Sequence, residues 1–331
     1  MQGIHIVATG RAVPKKVVTN DDLSKIVDTS HEWIVTRTGI CQRHICEEET
    51  CTTLAIEAAQ KAVEEAMEQE GLTVEDIGVV VVASVTSEYN FPSTACLIQN
   101  ALGLPKDIMS FDIGAACSGF IYGLEVCRGL LMARQAQEEV LNRGETSGND
   151  RKKYALLIGS EQLSRVLDFT DRSSCILFGD GAGAAVIRLD DSLYVHRAWS
   201  DGDKEVLYCK GAGHEDTKLR MQGQEVFKFA VRVLKQGLDT ILEDAGLTIE
   251  DVDYVVCHQA NKRIIEHVMK KYPGQEQKFY MNIENYANTS GASIPIAIDE
   301  MRKQGLLQKG MKIVTVGFGA GFTWASALIT V

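Results

Sequence analysis

Gly71-Leu-Thr-Val-Glu-Asp-Ile77 recurs later in the chain as Gly246-Leu-Thr-Ile-Glu-Asp-Val252. The surroundings recur with it. Each copy follows a stretch with apolar residues three and four apart, at 53–70 and 226–245, which predicts an amphipathic helix. Each precedes a short β-branched run, at 79–83 and 254–257, which predicts a strand. Two further pairs come in the same order. Cys117-Ser-Gly119 matches Thr289-Ser-Gly291, each expected to follow a short strand and to open a helix, over 119–133 and 293–304. Gly179-Asp-Gly-Ala-Gly183 matches Gly317-Phe-Gly-Ala-Gly321, each expected to lead into an apolar strand.

Ordered matches of this kind point to two copies of one βα-rich unit. The copies meet near 187–192, which divides the chain into halves 1–187 and 188–331. Strands alternating with helices imply an α/β fold with largely parallel sheets. The simplest arrangement stacks two sheets, with helices between and outside them. Residues 134–153 have no counterpart in the second half and read as a helix extension followed by a polar surface loop.

The bulk properties narrow the function. With 45% hydrophobic and 24% charged residues, the 331-residue chain has ordinary soluble-protein composition. A formal net charge of −11 argues against nucleic acid as a partner, since phosphate binding needs a basic footprint. Residues 1–14 alternate like a strand and lack the apolar core of a signal peptide. No run of about 18 apolar residues is present, so no membrane span is expected and the chain is placed in the cytoplasm. Its nine cysteines are then expected to be mostly reduced thiols. Cys41, His44, Cys46 and Cys51 come nearest to a metal cluster, but their spacing fits no common zinc pattern. They read as a surface loop leading into a helix, with no metal.

Cys117 lies in Ser110-Phe-Asp-Ile-Gly-Ala-Ala-Cys-Ser-Gly-Phe120. Small residues before it suit a sharp strand-to-helix turn, which leaves the sulfur at a helix N-terminus. There the helix dipole and free N–H groups favour a thiolate. A small buried core cysteine fits the same context. Cys96, Cys127, Cys175 and Cys209 lack such a turn and are expected in the core. His258 ends a strand and, by the duplication, is equivalent to Ala83. Asn288 immediately precedes the helix matched to the Cys117 helix, so the two come from nearly symmetry-related points. Strand ends at the junction of two α/β units are where sites form. Gly179–Gly183 precedes a strand, which excludes a dinucleotide fingerprint, and there is no Walker A pattern. Gly317–Gly321 is either a tight turn or a place where backbone N–H groups meet an oxyanion. After His258, a helix carries Lys262, Arg263, His267, Lys270 and Lys271, either a solvated face or a docking patch for an acidic partner, with Lys228 nearby.

Taken together, these segments resemble the ketoacyl-ACP synthase III family, the initiating condensing enzymes of dissociated fatty acid synthesis. The resemblance runs nearly end to end. Its pieces are Glu32-Trp-Ile-Val-Thr-Arg-Thr-Gly39, Asp112-Ile-Gly-Ala-Ala-Cys-Ser-Gly119, Phe178-Gly-Asp-Gly-Ala-Gly183, His258-Gln-Ala-Asn261, Tyr286-Ala-Asn-Thr-Ser290 and Gly319-Ala-Gly-Phe-Thr-Trp324. It implies a thiolase fold, a five-layer αβαβα stack of two duplicated halves, and a homodimer. It implies a catalytic triad of Cys117, His258 and Asn288, with Asn288 in place of the second histidine of other condensing enzymes. An oxyanion hole from the N–H groups of Cys117 and Ala320 follows.

The resemblance further assigns Thr29, Trp33, Arg37, Arg172, Gln224, Phe227 and Asn261 to a coenzyme A and pantetheine channel. Phe91, reaching across the dimer, and Phe318 go to the acyl pocket, and Lys228, Lys262, Arg263, Lys270 and Lys271 to acyl carrier protein docking. Three positions depart from the family pattern: the long 134–153 stretch, Gln224 where asparagine is frequent, and Ala320 in place of glycine. The implied activity is acylation of Cys117 by an acyl-CoA, then decarboxylative condensation with malonyl-acyl carrier protein. The coenzyme A thioester is a substrate and no cofactor is required. Two alternatives are a Cys-His-Asn condensing enzyme of a quinolone, polyketide or β-lactone pathway and, from another class, a cysteine-rich metal or redox protein.

Overall fold

The computed structural model describes residues 2–141, 152–211 and 213–331. In chain order the first half holds β1 (Gly3–Ala12), β2 (Val17–Thr19), α1 (Asn20–Leu23), α2 (His31–Thr38), β3 (Gln42–His44), α3 (Cys51–Glu70), β4 (Ile77–Ala83), α4 (Thr94–Ala101), β5 (Met109–Ile113), α5 (Gly119–Leu141), β6 (Tyr154–Glu161) and β7 (Gly181–Asp190). The second holds β8 (Val195–Ser200), β9 (Leu207–Tyr208), β10 (Arg220–Met221), α6 (Gly223–Ala245), β11 (Tyr254–Cys257), α7 (Lys262–Met269), α8 (Ile283–Tyr286), α9 (Ser293–Lys303), β12 (Lys312–Gly319) and β13 (Thr323–Thr330).

The repeated heptapeptide does the same work in both halves. Gly71 and Gly246 end α3 and α6 in the left-handed region, at φ 68° and 65°, where only glycine sits without steric cost. Thr73 and Thr248 then open short 3₁₀ turns, each in a capping box with Asp76 or Asp251. Those turns deliver the chain into β4 and β11.

The two main sheets have the same plan. One is ordered β1-β7-β6-β4-β5, the other β11-β12-β13-β8. Parallel pairing of β4 with β6 is repeated by β11 with β12, and the antiparallel pair β6–β7 by β12–β13. The place of β5 is taken in the second sheet by one parallel bridge between Val255 and Phe279. Side chains alternate across each strand. Val79 and Val81 of β4 join a central core with Phe120, Ile121 and Leu124 of α5 and Ile294, Ala297 and Met301 of α9. Val80 and Val82 point the other way, against α3. Val314 and Val316 of β12 likewise face α6 and α7. The stack is therefore αβαβα, the five-layer thiolase arrangement, with α5 and α9 between the sheets. Each fully buried valine here is worth about 1.5–3 kcal/mol over an exposed one.

Several expectations need correcting. The glycine runs are not equivalent: residue 161 pairs with Gly181, and Gly319 with Thr323, so Gly319 corresponds to Glu161. Ala116 and Ser290 both have positive φ, 44° and 50°, and each leads a 3₁₀ turn into a central helix. Cys117 thus corresponds to Gly291, not Thr289. No strand precedes Thr289; α8 and an isolated bridge from Phe178 to Asn288 stand there. The first sheet's last strand, β7, continues to Asp190 before the turn into β8. Cys127 and Cys175 are buried, but Cys96 and Cys209 are exposed, because they fall at a helix's outer face and in a surface connection. Residues 42–44 form a strand, with the Arg43 guanidinium buried against Asn20 Oδ1 and the carbonyl of Ile176. All nine cysteines are free thiols. The helix extension past residue 133 reaches Leu141; the loop expected beyond it lies outside the described residues. Among the described residues one helix, α5, has the length and apolarity of a membrane span. Its Phe120, Ile121, Leu124 and Cys127 are core residues between the sheets.

Candidate active site

Cys117 sits at the sharp turn between β5 and α5, forced by the positive φ of Ala116. The long helix α5 begins two residues later, which puts the positive end of its dipole beside the sulfur. Burial pushes the thiol up to about 12, and a hydrogen bond to Ser290 Oγ, at 3.4 Å, acts in the opposite direction. The helix start adds to the lowering. Gly319, at the end of β12, lies directly against this turn: a Cβ there would stand 2.6 Å from the Cys117 nitrogen. Ala320 follows it and opens the turn from β12 to β13; it is not among the residues that line the cavity described below.

His258 follows β11 and is fully buried, its backbone N–H donating to the Val316 carbonyl at 2.8 Å. Its Nδ1 is 2.7 Å from Ser293 Oγ, and its Nε2 has no hydrogen-bond partner within the protein. Burial pushes the imidazole down to about 3, so it is neutral at physiological pH. A Ser293 hydroxyl donating to Nδ1 leaves the proton on Nε2, as a donor into the cavity. The Phe318 ring meets the imidazole edge-on, with centroids 5.5 Å apart. Asn288 is held by its backbone to Leu177 and Gly179, and its Oδ1 accepts the Ser290 N–H at 2.8 Å. That bond leaves Nδ2 as the free donor of the amide.

Cys117, His258, Asn288 and Phe318 line the inner part of one cavity of about 680 Å³. The triad expected from the sequence is thus brought into one cavity from three separate connections. Trp33, Arg37, Arg172, Gln224, Phe227 and Asn261 line the same cavity. Trp33 lies between two guanidinium groups, 4.6 Å from Arg37 and 5.1 Å from Arg172. An aromatic face flanked by two cations suits a phosphorylated, planar ligand end. Asn261 is also structural: Oδ1 caps α7 and Nδ2 donates to the Arg37 carbonyl at 3.0 Å. Lys228 and Arg263 line the wall as well, Arg263 stacked 5.8 Å over Phe227.

Other expected residues lie outside the cavity wall. Thr29 precedes α2, and Phe91 is 86% exposed on the loop before α4. Lys262 forms a 3.8 Å ion pair with Glu266 and packs over Gly39. Because α7 ends at Met269, Lys270 is its C-cap and Lys271 lies in the following turn. Sequence reasoning missed Ser290, Ser293 and Glu161. Ser290 closes a quoted motif and occupies the strained turn position of Ala116, which the repeat would have shown in its true register. Nothing in the sequence marks Glu161, whose neighbours come from distant connections.

Comparison with known proteins identifies the family and agrees with the fold. Residues 146–200 match the family described as 3-Oxoacyl-[acyl-carrier-protein (ACP)] synthase III, and residues 242–331 match its C-terminal family. The chain is 44% identical to the beta-ketoacyl-[acyl-carrier-protein] synthase III of Clostridium acetobutylicum, over 99% of each. It is 45% identical to that of Acholeplasma laidlawii, over 99% of this chain and 98% of the other. The crystal structure of 3-oxoacyl-[acyl-carrier-protein] synthase III from Aquifex aeolicus superimposes with a TM-score of 0.86 at 41% identity, covering 99% of this chain and 100% of that one.

Proposed function

The chain belongs to the 3-oxoacyl-[acyl-carrier-protein] synthase III family, and on that premise we propose that Cys117, His258 and Asn288 carry its condensation reaction. The protein is a condensing acyltransferase that initiates fatty acid synthesis. The observation that carries the assignment of residues is the single cavity holding the Cys117 sulfur, the unpartnered His258 Nε2 and the Asn288 amide, below a mouth built on Arg37, Trp33 and Arg172.

In the first half-reaction the Cys117 sulfur attacks the thioester carbonyl of an acyl-CoA. The N–H groups of Cys117 and Ala320 hold the tetrahedral oxyanion, and coenzyme A leaves. Arg37, Trp33 and Arg172 grip the nucleotide end, while Gln224, Phe227 and Asn261 border the pantetheine. In the second, malonyl-acyl carrier protein enters by the same route, guided by Lys228, Arg263 and the lysines beyond α7. Loss of carbon dioxide leaves an enolate, whose oxygen accepts hydrogen bonds from His258 Nε2 and Asn288 Nδ2. Its carbanion attacks the acyl-Cys117 carbonyl and releases a 3-oxoacyl-acyl carrier protein. Decarboxylation supplies the carbanion, so the chemistry calls for no cofactor. Val85, Tyr89 and Phe91, exposed by 51%, 51% and 86%, form an apolar loop suited to a homodimer contact that carries Phe91 to the partner's acyl pocket.

The test is a panel of acyl-CoAs offered to the purified protein, followed by intact mass measurement and peptide mapping. One acyl group on Cys117, transferred to malonyl-acyl carrier protein as a 3-oxoacyl product, is the expected result. An acyl group on another cysteine, still formed in Cys117→Ala, refutes the assignment.

A further inference from the structure

Glu161 is the last residue of β6 and is fully buried. No basic side chain pairs with it among the described residues. Its carboxylate instead collects neutral donors: the Val85 N–H at 3.2 Å, Ser84 Oγ at 3.3 Å, Thr86 Oγ1, and Ser290 Oγ at 3.1 Å. The Ser290 hydroxyl faces two ways, donating to Glu161 Oε1 and accepting from the Cys117 sulfur at 3.4 Å. Its backbone is fixed by the positive φ of 50° and by the bond from its N–H to Asn288 Oδ1. A continuous line of donors thus runs from the nucleophile through one hydroxyl to a carboxylate.

The imidazole offers no such route. His258 Nε2 has no protein partner, and burial keeps the ring a weak base. Of the groups bonded to the thiol, Ser290 is the one that leads to an anion.

We propose that Glu161, acting through Ser290, takes the Cys117 proton during acyl loading, stores it through the life of the acyl-enzyme, and returns it after condensation. The inference rests on the function proposed above. In loading, the S–H proton passes to Ser290 Oγ as the Ser290 hydroxyl proton passes to Glu161 Oε1. The sulfur electron pair forms the new C–S bond, the old one breaks, and coenzyme A departs as the thiolate. The negative charge Glu161 gave up leaves with it. In condensation, decarboxylation of the malonyl group generates a carbanion whose attack expels the Cys117 thiolate. That thiolate recovers the proton by the reverse path, and Glu161 is again a carboxylate. A neutral Glu161 in the acyl-enzyme also leaves no anion behind the Ser290 hydroxyl when the malonyl carboxylate arrives.

Burial holds the Glu161 carboxyl up at about 7, against its neutral hydrogen bonds, which suits a group that must accept and release a proton. The titratable groups facing it are Cys117 and, from the start of α3, Cys51, whose sulfur sits 3.6 Å from Ser84 Oγ. Arg165 is bonded to the carbonyls of Thr86 and Ser87 and not to the carboxylate.

The test compares infrared difference spectra of acyl-enzyme minus free enzyme, at pH 8, with acylation of Cys117 followed by mass. Wild type should gain a protonated-carboxyl carbonyl band on loading, absent from Glu161→Gln. Single-turnover acylation should fall by about 10²-fold at neutral pH in Ser290→Ala, and its rate should then keep climbing with pH as hydroxide takes over. Loading of wild type without the carboxyl band overturns the relay even if Glu161→Gln fails to fold. An unchanged pH profile in Ser290→Ala does the same. Absence of loading by any acyl-CoA overturns the proposed function itself, and the relay with it.

Discussion

Gly319 has no side chain at the one place where a Cβ would stand 2.6 Å from the backbone nitrogen of Cys117. The end of β12 and the nucleophile's turn therefore pack backbone to backbone, which is the approach an oxyanion hole needs. Gly319→Ala must push the two apart. Self-acylation should slow by about 10²–10³, the scale of losing one oxyanion donor. Quenched-flow mass measurement reads the rate, with melting temperature followed alongside. A normal rate would place the hole elsewhere.

His258 and Asn288 should divide their labour. Replacing either with Ala is expected to slow malonyl decarboxylation by about 10²–10³, measured as carbon dioxide release. Acylation of Cys117 should suffer less in Asn288→Ala. Equal loss in both half-reactions would mean that Asn288 serves mainly to hold the Ser290 N–H, bonded to it at 2.8 Å.

Burial keeps His258 neutral in the folded state, its pKa lowered from 6.5 to about 3. Below pH 6.5 the unfolded chain binds a proton there that the folded chain refuses. Its contribution to stability is thus present above that pH and is lost as pH falls toward 3. Wild type should lose on the order of 2 kcal/mol more than His258→Gln between pH 7 and pH 5. Denaturant melts at the two pH values measure it, and parallel losses would contradict the burial argument.

Primer length should respond to a residue that lies outside the cavity wall of its own chain. Phe91 is 86% exposed. If it closes the partner's acyl pocket, Phe91→Thr should raise the ratio of long-chain to acetyl-CoA loading. The competing-substrate mass ratio decides it, and an unchanged ratio removes Phe91 from the pocket.

Carrier protein docking should depend on charge at the mouth. Lys228 is partly neutralised by Glu225 at 2.8 Å and Lys262 by Glu266 at 3.8 Å, which leaves Arg263 and Lys270 to test. Arg263→Glu with Lys270→Glu should lower kcat/KM for malonyl-acyl carrier protein and flatten its salt dependence. Self-acylation should stay near wild type. A parallel fall in both steps would assign the patch to coenzyme A or to stability.

The layers of the fold were legible because the heptapeptide at 71–77 and 246–252 fixes a helix end, a 3₁₀ turn and a strand start in each copy. Cys117, His258 and Asn288 each stand beside an element that the pattern marks, and the fold brings all three to one cavity. Register was harder. Aligning Cys117 with Thr289 used shared letters, whereas the backbone equivalence is set by the positive φ of Ala116 and Ser290, two different residue types. Glu161 stayed hidden because its meaning depends on Ser84, Thr86 and Ser290, which only the folded sheets bring together. The exposed Cys96 and Cys209 were misplaced because cysteine's preference for the interior says nothing about a particular side of a helix or loop.

The turn between Asp190 and Val195 joins two sheets that bury their inner faces on the same pair of helices, α5 from one half and α9 from the other. It is a tether, and it keeps each sheet at a high effective concentration for the other. The cavity draws on both sides of that turn: the Cys117 sulfur comes from one side, and the His258 imidazole, the Asn288 amide and the Ser290 hydroxyl come from the other. A substitution on the inner face of one sheet must be accommodated by helices that it shares with the other, so the two sheets tolerate change jointly.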